Sequence, residues 1–158
     1  MLGRLDVEFG DGINCSSTSI RKGYKGDVTH SVIADQRDYE VRIKEEDRAI
    51  EALKSFVRKI WKIITDAEQF ILEESLTFFF PVILRPCIDY IPKDITFINS
   101  EELHSKYPNI TIHDRENAAV HEYGAVFITG MGWPMADRSE EVRAPAYDDW
   151  NMNGDIIL

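Results

Sequence analysis

EDRAIEALKSFVRKIWKIITDAEQFILEE, running from Glu46 to Glu74, is the stretch that fixes the fold class. Within it Ile50, Leu53, Val57, Ile60, Ile64, Ala67 and Ile71 recur at alternating spacings of three and four, and Phe56, Ile63 and Phe70 widen the stripe. This is the period of one long amphipathic helix, and its apolar face has to be covered. A supercoiled seam uses the same pattern, but about three heptads make a short one, so packing across a sheet is the expectation.

Working outward, Val28 to Ile43 alternates as a strand does. Along it His30, Val32, Ala34, Gln36, Asp38 and Glu40 share one face, because strand side chains alternate with period two. That face turns from apolar to polar, so one end is expected in a core and the other against a pocket. Residues 1–26 are rich in Gly, Ser and charge, with turn signals at Gly10 to Gly12 and Gly23 to Gly26. They read as loop with at most short strand pieces.

On the other side of the helix, Leu76 to Leu84 reads as a buried segment interrupted by Pro81. Ile95 to Ile98 reads as a short strand. Ser100, as N-cap, opens a short helix that stops before Pro108, and Asp114 opens another that ends at Gly124. Ala125 to Thr129 reads as a core strand, and Ile156 to Leu158 as a closing one. Strands of antiparallel type with segregated helices give an α+β fold. The chain of 158 residues is expected to form a single domain.

Composition excludes several classes. Apolar residues at 44% and charged ones at 29% are globular values, and a net charge of −10 argues against nucleic-acid binding. Local arginines such as Arg21, Arg37 and Arg143 suffice for a small anionic ligand. Cys15 and Cys87 have neither metal spacing nor a disulfide framework, so both read as reduced thiols of a cytoplasmic protein. The N-terminus has no apolar h-region, and the longest apolar run is about half of the ~20 residues a membrane span needs.

Two constellations can do chemistry. Gln36 and Asp38 project ~7 Å apart from one strand face. A carboxylate there can pair with an ammonium while the amide donates and accepts, which suits an amino-acid ligand; a merely solvated face, with Arg37 and Tyr39 turned inward, is the alternative. Arg143, Asp148, Asp149 and Asp155 form the second. Carboxylates on loops can hold Mg²⁺ together with substrate phosphates, and an arginine can stabilise phosphoryl charge. The alternative is a surface loop whose aspartates cap turns. Among the four histidines only His30 lies on the ligand face, while His104, His113 and His121 lack ligand spacing. Trp133 and Trp150 read as packing anchors.

Thr29 to Glu40, THSVIADQRDYE, resembles the "HSxxVDQWDWE" segment of asparagine synthetase A, the ammonia-using aspartate–ammonia ligases. INSEELHSKYP, ending at Pro108, is similar to that family's "SQELLxRYP", and Gly124 to Gly132 to its "GAVFLxGIG". Val142 to Trp150 and Asn153 to Ile156 are close to "VRAPDYDDW" and "LNGDIL". Order and spacing hold over roughly Thr29 to Leu158. By these motifs the chain is identified as a member of that family.

The resemblance implies the catalytic fold of class II aminoacyl-tRNA synthetases, an antiparallel sheet flanked by helices, in a homodimer. It implies ATP and Mg²⁺ as cofactors, aspartate and ammonia as substrates, and no nucleic-acid or membrane partner. Aspartate would attack ATP to give aspartyl-adenylate and pyrophosphate, and ammonia would displace AMP to give asparagine. On this template Gln36 and Asp38 bind substrate. Arg21 matches the arginine that holds the α-phosphate, Arg143 and Asp148 join it as catalytic residues, and Asp155 serves the nucleotide and the metal.

The chain departs from the pattern in places. It stops at Leu158, before the glutamate-bearing strand and the glycine-rich third motif, and it lacks the "SLAKWKR" lysine. Cys15 stands where the family carries aspartate, and the Trp150 to Asn153 loop is short. The sequence therefore reads as a truncated or internally deleted copy with impaired activity, since one charged donor can be worth roughly 10²–10³ in rate. A non-catalytic remnant that binds aspartate, a nucleotide or a partner chain is the alternative. A fragment of an aspartyl- or asparaginyl-tRNA synthetase fits less well, because no basic tRNA-binding module is visible.

Overall fold

The computed structural model describes residues 5–20, 23, 26, 31–78, 91–132 and 149–158, with the backbone alone for 75–78. The chain divides into two compact units, Met1–Arg48 and Ala49–Leu158.

The first unit is built on two antiparallel strands, β1 (Gly12–Ile20) and β2 (Ile33–Val41). Their register runs without a bulge from Gly12 opposite Val41 to Ile20 opposite Ile33. Two further backbone bonds, Arg42 N to Asp11 O and Gly10 N to Arg42 O, extend the ladder. The loop reading of residues 1–26 thus fails over nine residues. Its Cys-Ser-Ser-Thr-Ser run carries no hydrophobic alternation, and the strand rests on cross-strand partners instead, such as Thr18 Oγ1 donating to Asp35 at 2.8 Å. The core expected at the apolar end of β2 is also absent. Val32 on that face is 39% exposed, and Ile33, Arg37 and Tyr39 on the opposite face are exposed too.

The second unit opens with α1 (Ile50–Phe78). Val57 and Trp61 are buried against Ile95, Ala125 and Phe127, with Leu53, Ile64, Phe97 and Ile156 packed around them. The Trp61 indole donates to the Pro92 carbonyl at 3.1 Å, so the one polar atom of the largest anchor is satisfied. The surface they cover is a sheet of β3 (Thr96–Asn99), β4 (Val126–Thr129) and β5 (Gly154–Ile157), in the order β3-β4-β5. Phe97 and Phe127 meet edge-on there, with centroids 5.8 Å apart.

The sheet is mixed: β4 pairs antiparallel with β5 but parallel with β3. This corrects the wholly antiparallel expectation. The link from β3 to β4 contains α2 (Ser100–Lys106) and α3 (Ile112–Tyr123), and so is long enough for the crossover that parallel strands require. These helices cover the second face, where Leu103 and Ala119 close over Val126, Ile128 and Met131. With helices on both faces, all four β4 residues are buried, and the fold of this unit is α+β.

Both short helices begin one to three residues earlier than the sequence suggests. Asn99, not Ser100, caps α2 through a reciprocal box with Glu102. Ser100 instead donates to the Gly130 carbonyl at 2.8 Å, tying α2 to the end of β4. Thr111, not Asp114, caps α3, accepting from the Asp114 backbone. Gly124 closes α3 at φ 76°, a conformation that costs a residue without Cβ little. The expected break around Pro81 and the thiol Cys87 lie outside the described residues.

Candidate functional site

Cross-strand register decides which side chains share the face of Gln36 and Asp38. Gln36 lies opposite Ser17 and Asp38 opposite Cys15, so these four residues line one patch of the β1–β2 ladder. Ser17 Oγ reaches the Asp38 carboxylate diagonally at 3.5 Å, a contact at the limit of a hydrogen bond. Every member is exposed. The patch therefore presents a carboxylate, an amide, a hydroxyl and a thiol to solvent. That set can accept from an ammonium and donate to a carboxylate. Sequence reasoning named two of the four. Ser17 and Cys15 were missed because β1 was read as loop; the β-branched residues at Ile13, Thr18 and Ile20 were the available signal.

Of the second constellation, Asp155 is placed by Asn153, which the sequence reading quoted in a motif but gave no role. Asn153 accepts from the Met131 backbone N–H at 3.0 Å and donates to the Met131 carbonyl at 2.7 Å. Its amide copies a strand partner and pins the start of β5 beside the end of β4. Gly154 follows because nothing larger fits: a Cβ there would lie 2.4 Å from the Ile128 carbonyl oxygen. Asp155 is thereby fixed in the row of Ile98 and Ile128, half-buried, on the α2–α3 side of the sheet. Asp149 accepts from the backbone and side-chain nitrogens of Asn151, both at 3.1 Å, as a turn-forming aspartate does. Trp150 is a packing anchor, pressed so closely on Gly132 that a Cβ there would fall 2.5 Å from its indole nitrogen.

Of the expected site residues, Gln36 and Asp38 stand together on β2 and Asp155 stands on β5, in the other unit. Arg21, Arg143 and Asp148 lie outside the described residues, as do His30 and Trp133. Among the described residues no group of three or more His, Cys, Asp or Glu side chains could hold a metal. Asp155 offers one carboxylate, which is within what Mg²⁺ takes from protein when phosphates supply further oxygens. A cavity of about 450 Å³ is lined by Arg58, Trp61, Lys62, Lys93 and Phe97 among others. It opens on the α1 side of the sheet and includes none of the expected site residues.

The strongest local electrostatics belong to neither constellation. Glu122 on α3 binds both Lys106 Nζ and the Tyr107 hydroxyl, and Lys106 also donates to Tyr123. The Lys106 hydrogen bond, followed by that of Tyr107, holds the Glu122 carboxyl below its ordinary range. Glu122 in turn raises Lys106 and Tyr107 above theirs. This cluster fastens α2 to α3 on the surface and is structural.

Comparison with known proteins settles the ancestry. The family model for aspartate-ammonia ligase matches residues 1–158. The chain belongs to the aspartate–ammonia ligase family. It is 40% identical over 156 residues to the aspartate–ammonia ligase of Fusobacterium nucleatum, covering 98% of this chain and 45% of that protein. It is 40% identical over 152 residues to the Bacillus cytotoxicus aspartate–ammonia ligase, covering 96% and 44%. It is 38% identical over 159 residues to that of Malacoplasma penetrans, covering 100% and 46%. The chain therefore spans a little under half the length of these relatives. Residues 1–26, which precede the motifs quoted above, also fall inside the family match.

Proposed function

We propose that the chain contributes the aspartate-binding face of an ATP-dependent aspartate–ammonia ligase with the architecture of a class II synthetase catalytic domain. The observation that carries the reading is the register of β1 and β2, which gathers Gln36, Asp38, Ser17 and Cys15 on one exposed patch. Membership of the family supplies the reaction.

In this reading Asp38 accepts from the α-ammonium of aspartate, and Gln36 donates to its α-carboxylate. The side-chain carboxylate is then left free to react. Its oxygen attacks the α-phosphorus of ATP, forming the acyl–phosphate bond while pyrophosphate leaves with the bridging electron pair. Ammonia attacks the acyl carbon, AMP departs, and the surplus proton leaves the new amide nitrogen. Arg21 would neutralise α-phosphate charge, and Arg143 and Asp148 would complete the wall around the acyl centre. Asp155 would provide a carboxylate for Mg²⁺, which when bound offsets phosphate charge.

A product assay with ATP, Mg²⁺, aspartate and ammonium is expected to yield asparagine and AMP together, with asparagine lost when ammonium is omitted. In parallel, Asp38→Asn should abolish the rise in melting temperature produced by aspartate while leaving the ligand-free melting temperature nearly unchanged. An Asp38→Asn protein still stabilised by aspartate would overturn the assignment of the binding face. Product formed without aspartate dependence would overturn the reaction.

A further inference from the structure

The cavity of about 450 Å³ beside α1 has no part in the proposed reaction. It lies within Ala49–Leu158, where one face of α1 meets the turn that leads into β3. Arg58 with Lys62, and Trp61 with Thr65, form two adjacent rows at one-turn spacing, so the helix supplies one side. Lys93, Asp94, Ile95 and Phe97 supply most of the rest. The Trp61 indole N–H is spent on the Pro92 carbonyl, so Trp61 offers the cavity only apolar surface, and Ile95 and Phe97 add to it. Small-molecule sites combine such a surface with a few convergent polar groups, in volumes of roughly 300–1,000 Å³.

The charges of the lining identify the ligand. Arg58, Lys62 and Lys93 are the cations, Asp66 and Asp94 the anions. Lys62 donates to both oxygens of Asp66, at 2.8 and 2.7 Å, so that pair neutralises itself. Arg58 and Lys93 have no carboxylate within ion-pair distance among the described residues. The Arg58 guanidinium instead lies over the Phe97 ring, 4.8 Å from its centroid. A ring attracts the charge but does not use up the planar fork of N–H donors. With Lys62 and Asp66 set aside, Arg58 and Lys93 against Asp94 leave one positive charge. One carboxylate balances it and matches the guanidinium fork, whereas a dianionic phosphate exceeds it. The two aspartates also disfavour a second anionic group on the same ligand.

We infer that the cavity between α1 and β3 is a binding site for a small organic monocarboxylate with an apolar body. Arg58 takes the carboxylate, Lys93 adds the second cation, and Trp61, Ile95 and Phe97 receive the body. The site is separate from the Gln36–Asp38 face, which belongs to the other unit, and it does not depend on the proposed reaction.

The test is a titration of the isotope-labelled full chain with phenylacetate, followed by nuclear magnetic resonance. Saturable shifts are expected in the Trp61 indole N–H and in the backbone amides from Lys93 to Phe97. Phenylacetamide, of the same shape without the charge, should bind about ten-fold more weakly or worse. Acetate, which lacks the body, and succinate and inorganic phosphate, which carry excess charge, should also bind more weakly. Arg58→Gln should weaken phenylacetate by about ten-fold or more. Lys93→Gln, on an exposed turn, should weaken it too and serves if Arg58→Gln fails to fold. Lys54→Gln is the control: Lys54 also lies over Phe97 but is paired with Glu51 and does not line the cavity, so affinity should hold. Saturating aspartate should leave the titration unchanged. The inference is overturned by the absence of saturable shifts up to about ten millimolar phenylacetate, or by phenylacetamide binding equally well. Indifference to both Arg58→Gln and Lys93→Gln, or displacement by aspartate, would overturn it as well.

Discussion

The Glu122 carboxylate shows how a single residue can tie two helices together. It receives Lys106 from the end of α2 and Tyr107 from the following turn, so its charge works on both. A carboxylate whose folded-state pKa is depressed contributes stability that is present above its unfolded value, about 4.3, and lost as pH falls through the folded one. Lys106 and Tyr107 are raised, so their contribution is present below about pH 10 and lost only as pH rises further. The melting-temperature difference between the parent and Glu122→Gln should therefore stay constant from about pH 6 to 9 and shrink as the solution is taken from about pH 5 to 3. A difference that instead grows on acidification would show that the pair does not act through the carboxylate charge. The same scale governs Asn153 and Gly154. One binds the Met131 backbone at two points, and the other leaves room for the Ile128 carbonyl, so between them they aim Asp155.

For the elements, the helices were more legible than the strands. The three-four spacing from Ile50 to Ile71 located α1 to within a few residues at each end, because periodicity reports the backbone directly. Which of its apolar residues would be buried was not legible. Val57 and Trp61 are inside while Ile60 and Ile63 are outside, a choice made by where the sheet lies. The caps were misread for a related reason: Asn, Thr, Ser and Asp all cap well, and neighbouring candidates compete. Thr111→Ala should cost about 1 kcal/mol in denaturant unfolding and Thr111→Ser much less. If Asp114→Ala proved the costlier change, the cap would be misassigned. Strand β1 was hidden because its Ser- and Thr-rich run has no apolar alternation, and pairing with β2 holds it extended.

At the scale of the whole molecule the two units differ in how they are held. In Ala49–Leu158 helices cover both faces of the sheet and β4 is buried throughout. In Met1–Arg48 the ladder has two strands and largely exposed faces, an arrangement that is marginal in water. Amide hydrogen exchange should accordingly be slowest in Val126–Thr129 and markedly faster in Gly12–Ile20 and Ile33–Val41. Saturating aspartate should slow exchange in β2 if that strand carries the substrate face. An aspartate-induced slowing confined to β4 and β5 would move the binding site to the other unit. Among the described residues no helix is long and apolar enough to cross a membrane.

By itself the sequence determined the family, the α+β class, the long helix and the position of the Gln36–Asp38 pair. Each of these is written in local pattern: motifs in register, a 3.6-residue period, a two-residue alternation. Tertiary structure alone decided that β3 and β4 run parallel, that Ser17 and Cys15 join the Asp38 face, and that Asn153 holds β5 against Met131. It also decided which apolar residues of α1 are buried, Val57 and Trp61 among them, and which are exposed. Those features depend on which residues, distant in sequence, come to lie within hydrogen-bonding or packing distance. Composition and spacing constrain each partner, but only the assembled backbone pairs them.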